Sequence, residues 1–195
     1  MTKDDIKYIV EVFSVIIGQP MRNVERAGST IYLDFGELIE IDTFEVAKNG
    51  RLARDKDGKL IPTRSMVGEH RMEIICAVRF ICGDEVIFAG SDIFLPTDEQ
   101  LNKPDFVWAT FNWHTIGNTA FDEIIARHFR GRFDDYIVKG VKVNKFGDLT
   151  LTFKNGFILE LFVNNSEKGD GWGFNKITST RSSSLIITGR GVYRE

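Results

Sequence analysis

Apolar residues recur three and four positions apart at the start of the chain. Ile6, Ile9, Val10, Phe13 and Ile17 share one side of a helix over about 4–17, with Thr2 placed to cap it, Asp4 and Asp5 in its first turn, and Gly18 and Pro20 to stop it. The same period returns at Phe121, Ile124, Ile125 and Phe129, which predicts a second helix over about 119–130, ended by Gly131. Elsewhere the pattern has period two and is rich in β-branched and aromatic residues, with Gly, Asn or Asp at the joints. Strands are expected over 29–36, 37–46, 70–80, 84–94, 136–143, 148–156, 157–163 and 183–189.

These strands repeat. Ile31, Leu33 and Phe35 align with Leu149, Leu151 and Phe153 at an offset of 118, all inward on a period-two strand. Leu38–Ile41 align with Ile158–Leu161 at 120, and Val86–Gly90 with Leu185–Gly189 at 99, so the first half is 21 residues longer between its outer blocks. Lys48–Gly68 is the apparent source: a polar stretch with no convincing periodicity, read as a basic loop. The expected fold is therefore α+β, mainly antiparallel, built from two duplicated meander-like halves around one shared core. Residues 1–195 form a single domain, with a first β unit at about 29–95, the linking helix, and a second β unit at about 137–192.

Composition narrows the function classes. The 195 residues are 43% hydrophobic and 27% charged, which excludes disorder, collagen and coiled coil. Sixteen Phe against three Trp and four Tyr assign the aromatic content to packing, because Phe offers no polar handle. A net charge of −3 and a pI near 5.7 argue against nucleic acid as a partner. The apolar runs fall short of the roughly 20 residues that span a bilayer, and the acidic N-terminal stretch is unlike a signal peptide; no membrane partner and a cytoplasmic location are expected. Cys76 and Cys82, read on one strand, lie too far apart to bridge and are expected as free thiols.

Candidate chemistry is sparse. His70, His114 and His128 lack ligand spacing, so no metal or cofactor is expected. Asp55–Gly58 lacks the further carboxylates of a calcium loop, and Gly169–Gly173 lacks the Lys-Ser/Thr pair and helix of a phosphate cradle. Glu69 and His70 at a strand entrance can serve as acid–base groups or as a solvated turn. Trp108–His114 holds two of the three Trp beside Asn112 and His114, and reads either as the wall of a pocket at the junction of the halves or as packing between them. With Arg79 and Asp92, the candidate ligand-binding set is Glu69, His70, Arg79, Asp92, Trp108, Asn112, Trp113 and His114; no catalytic residue is assigned.

Gly68–Pro96 resembles a pattern found in small bacterial proteins of unknown function: a Gly-Glu pair before a strand with Cys and Arg, a turn Gly, a Gly-Ser-x-Asp and a Pro. The matching positions are Glu69, Cys76, Arg79, Gly90, Ser91, Asp92 and Pro96. The resemblance implies a partner-binding, immunity-like role. The leading expectation is thus a non-catalytic module that binds another protein. Lys48–Gly68 carries six basic and two acidic residues, leaving −7 on the remaining body as an acidic contact surface. The alternative is a small-molecule-binding or hydrolytic domain using the junction pocket. A homodimer is compatible with either.

Overall fold

Both long helices open on the same device. Thr2 caps α1 (Lys3–Phe13): its hydroxyl accepts the Asp5 N–H at 3.1 Å, and Asp5 accepts the Thr2 N–H at 2.8 Å. After a short α2 (Asp98–Leu101), Thr119 and Asp122 repeat this box at the start of α3 (Ala120–His128). The structure, a computed structural model, describes residues 1–47, 49, 51–166, 171–177 and 183–194. No helix among them is long and apolar enough to cross a membrane.

The strands are β1 (Met21–Ala27), β2 (Thr30–Phe44), β3 (Pro62–Ile74), β4 (Ala77–Cys82), β5 (Glu85–Ala89), β6 (Val138–Val143), β7 (Leu149–Phe153), β8 (Phe157–Phe162), β9 (Trp172–Lys176), β10 (Ser183–Thr188) and β11 (Gly191–Arg194). They form two antiparallel sheets, ordered β1-β2-β3-β9-β10-β11 and β5-β4-β8-β7-β6. Each half begins with a helix, a 3₁₀ turn and a three-stranded meander, then sends its next strand into the other half's sheet. β9 pairs with β3 through Met72↔Phe174 and Ile74↔Trp172; β4 pairs with β8 through Leu159↔Phe80 and Leu161↔Val78. The halves thus exchange strands.

A pseudo-twofold axis is visible in the register. Thr2 and Thr119, Asp5 and Asp122, and the bridged residues Pro20 and Ile137 all stand 117 apart. An antiparallel bridge between equivalent residues places the axis between them. It is held by Gly18 N–H to Val138 O at 2.8 Å and Met21 N–H to Tyr136 O at 2.9 Å. Met21↔Phe35 and Val138↔Phe153 are likewise equivalent pairs, each followed by a bulge.

Register also corrects three details of the repeat. Ile31↔Ile74 and Leu33↔Met72 correspond to Leu149↔Leu161 and Leu151↔Leu159, so Ile158–Leu161 match Arg71–Ile74 and not Leu38–Ile41. Phe80 faces Phe88 where Phe174 faces Leu185, which moves the third block by two residues. The surplus lies across the whole hairpin: residues 36–69 separate Phe35 from its partner His70, whereas the second half turns on Lys154–Gly156, closed by Gly156 N–H to Phe153 O at 3.2 Å.

That surplus is an arm. Residues 29–36 and 37–46, expected as two strands, run on as β2 through a bulge at Gly36, whose φ of +87° suits glycine. The part of Lys48–Gly68 expected as loop folds back: Pro62–Gly68 belong to β3, and the bridges Val46↔Leu52 and Arg54↔Leu60 build the tip. Of its inward return positions Thr63, Ser65 and Val67 only the last is apolar, so no apolar alternation marks it. Residues 70–80, expected as one strand, break at Ile75 and Cys76, whose N–H groups both reach Gly171 O at 3.0 Å, as the chain passes between sheets. Residues 90–94, the end of another expected strand, turn as a 3₁₀ helix. The pattern did not predict β1, β9 or β11.

The helices complete one core. Phe13 of α1 packs on Trp172 and Phe174 at 5.5 and 4.2 Å between ring centroids; Phe129, closing α3, packs on Phe80 and Phe88 at 5.3 and 6.2 Å. Phe80 also touches Tyr136, Phe153 and Phe157. Phe35 and Phe153 are both buried, at the matching inward sites expected of them.

Candidate binding groove

The expected site residues are dispersed. Glu69 binds Lys176 Nζ at 2.9 Å, and that bond holds its carboxyl below the usual range. His70 is buried beside it, stacked on Phe174 at 5.7 Å, and its Nδ1 has no hydrogen-bond partner among the described residues. Arg79 lies in the other sheet, ion-paired with Glu160 and over the Phe162 ring at 5.0 Å. Asp92 accepts the Ala89 N–H at 2.8 Å and so caps its own 3₁₀ turn. Trp113 packs between Phe94 and His114, Asn112 accepts the His114 N–H, and Trp108 is 61% exposed against Phe106 and Phe111. Among the described residues no hydrogen bond, ion pair or ring contact joins these groups into one site, and no three His, Cys, Asp or Glu gather as a metal cluster. Gly169 and Asp170 of the glycine-rich run lie outside the described residues.

A groove of about 1200 Å³ opens instead between the arm and α3. Its apolar walls include Ile41, Phe44, Leu52 and Met66 from the arm and Phe121 and Ile125 from the helix. Two arginine clusters line it. Arg26, alternating with Val24 on the inward side of β1, forks onto Asp122 with both contacts at 2.7 Å; the two side chains are 1% and 10% exposed. Burial pushes the Asp122 carboxyl up, but Arg26, the Thr119 hydroxyl and the Gly117 N–H outweigh it and leave it below its ordinary value. One carboxylate therefore closes the α3 cap and ties that helix to the first half's edge strand.

On the other face, Arg71 binds the buried Asp34 at 2.7 and 2.9 Å and Glu25 at 2.9 Å, and lies 5.2 Å from the Tyr32 ring centroid. Burial alone would lower the Arg71 pKa; the two carboxylates raise it above its ordinary value. Gly68 sits at the arm's root, where a Cβ would come within 2.6 Å of Phe35 N and 2.9 Å of Asp34 Cβ. Only glycine lets the two strands approach this closely.

Charge is used unevenly. Seven body carboxylates are engaged internally: Asp34 and Glu25 by Arg71, Asp122 by Arg26, Glu160 by Arg79, Asp134 by Arg22, Glu69 by Lys176 and Asp148 by the Val163 N–H, while others such as Asp84, Glu85, Asp98 and Glu99 are exposed. The arm tip is different: Arg51, Arg54, Lys56 and Lys59 face outward, while Asp55 is spent on the Asp57 and Lys59 N–H groups of its own turn. Sequence reasoning found the basic stretch but not the groove, because Arg26 and Asp122 stand 96 residues apart. The one available signal was an arginine in register with Val24. No family model, curated protein or solved structure matches the chain, so the reading of the groove rests on its own residues.

Proposed function

We propose that the protein is a non-catalytic module that binds another protein, and that the arm with its groove is the contact element. The observation that carries this is the asymmetry of the two halves: where the second half uses a three-residue turn, the first extends an arm that leaves Leu38, Phe44, Val46, Leu52 and Met66 between 43% and 61% exposed. Exposed apolar side chains gathered on one projection mark an interaction surface. The immunity-like resemblance of Gly68–Pro96 supports the same reading. The arm is favoured over the acidic body as the contact surface because its exposed apolar side chains are gathered on one projection, whereas seven of the body's carboxylates already hold arginines, lysines or backbone N–H groups. The test replaces residues 36–69 by the Lys-Asn-Gly turn of the second half and compares proteins captured from the source cell. A partner held by the full chain and released from the armless variant is expected; identical capture by both would refute the reading.

A further inference from the structure

The groove follows a strand edge. Successive strand residues point to opposite faces, so a cavity lying on one face is bordered by every second residue. Here the five consecutive residues Asn23–Ala27 all border it. β1 pairs with β2 on one side only, and among the described residues no strand takes its other side. At about 3.3 Å per residue the open stretch is about 17 Å long. Such an edge presents unpaired N–H and C=O groups to any extended chain. The arm and α3 wall it on either side, which favours a single strand over a whole sheet.

We propose that this edge receives an extended, carboxylate-bearing segment of a partner polypeptide, which adds to the sheet as a strand beyond β1. The proposal rests on the arm being the partner-binding element. Charge selects the occupant. Glu25 and Asp122 at the groove are held by Arg71 and Arg26, while Arg130 on its rim is exposed and has no ion pair among the described residues. With the basic tip beyond, whose Arg51, Arg54, Lys56 and Lys59 outnumber the exposed Glu45 between Phe44 and Val46 and the tip's Asp55 and Asp57, the net charge left around the groove is positive. Alternate side chains of the added strand meet the apolar arm and the helix, and its acidic groups meet Arg130 and the tip.

The test selects from a displayed library of random linear peptides against the full chain, then synthesises an enriched sequence. Enrichment of peptides alternating apolar with acidic residues is expected. The synthetic peptide should bind at least about tenfold more weakly when its alternate backbone amides are N-methylated, and similarly to Arg130→Glu, a change at an exposed side chain. No enrichment, basic peptides, or indifference to N-methylation would overturn the proposal. So would a protein already dimeric through β1, with the peptide dissociating it. Partner capture that needs the arm alongside any of these results would leave the broader reading standing; capture without the arm would remove both.

Discussion

At the scale of single residues, the groove depends on a charge pair that water scarcely reaches. Removing one member of a buried pair strands the other, at a cost of about 3–5 kcal/mol. Asp122→Ala should therefore destabilise by that order, and Arg26→Met/Asp122→Asn should cost less than the sum of its single changes, as read by denaturant unfolding in a double-mutant cycle. Additive costs would show that the pair is not coupled. His70 makes the complementary case. Burial lowers its pKa below 6.5, the Glu69 charge opposes that, and Lys176 adds to it. Above about pH 6.5 the imidazole is neutral in both folded and unfolded chains; as pH falls below that, the unfolded chain takes up the proton first, and stability declines until the lower folded value is passed. Thermal melts between about pH 7.5 and 5 should show this decline, and His70→Phe, which keeps a ring against Phe174, should flatten it. An unchanged slope would assign the effect elsewhere.

At the scale of elements, excising residues 36–69 should leave the fold intact. Gly156 already closes the equivalent hairpin in the second half, and the side chains lost from the core are few: Val67 is the arm's one fully buried aliphatic, while Leu38, Phe44 and Met66 face solvent. A cooperative melt and native-like circular dichroism are expected, and loss of cooperativity would make the arm part of the core. The same contrast explains what was legible in the sequence. Ile31, Leu33 and Phe35 alternate because one face of β2 is buried, so strand and duplication could both be read. The arm's return strand has Thr63 and Ser65 inward and could not. The Ile74–Ile75–Cys76 run hid the passage between sheets, because an unbroken apolar stretch shows burial but not a change of partner. The candidate polar residues were legible as polar; that Asp92 caps a turn and Glu69 pairs with Lys176 depends on neighbours that no local pattern names.

At the scale of the whole molecule, strand exchange sets how the halves depend on each other. Neither sheet belongs to one half: the first contributes β1–β3 to one sheet and β4–β5 to the other, and the second contributes β9–β11 and β6–β8. Of the five rings against Phe80 in the first half, Phe129, Tyr136, Phe153 and Phe157 come from the second, so isolating the halves would leave it only Phe88. Losing such contacts around one buried Phe costs about 3–5 kcal/mol, comparable with the whole stability of a small domain. The bridge at Pro20↔Ile137 and the Arg26–Asp122 pair would be severed as well. Fragments 1–118 and 119–195 should therefore each lack a cooperative melt alone, and should regain native circular dichroism and co-elute as one species when mixed. A cooperative transition in either isolated fragment would show two independent domains joined in series, whereas recovery only on mixing is what a duplicated chain folded around one shared core requires.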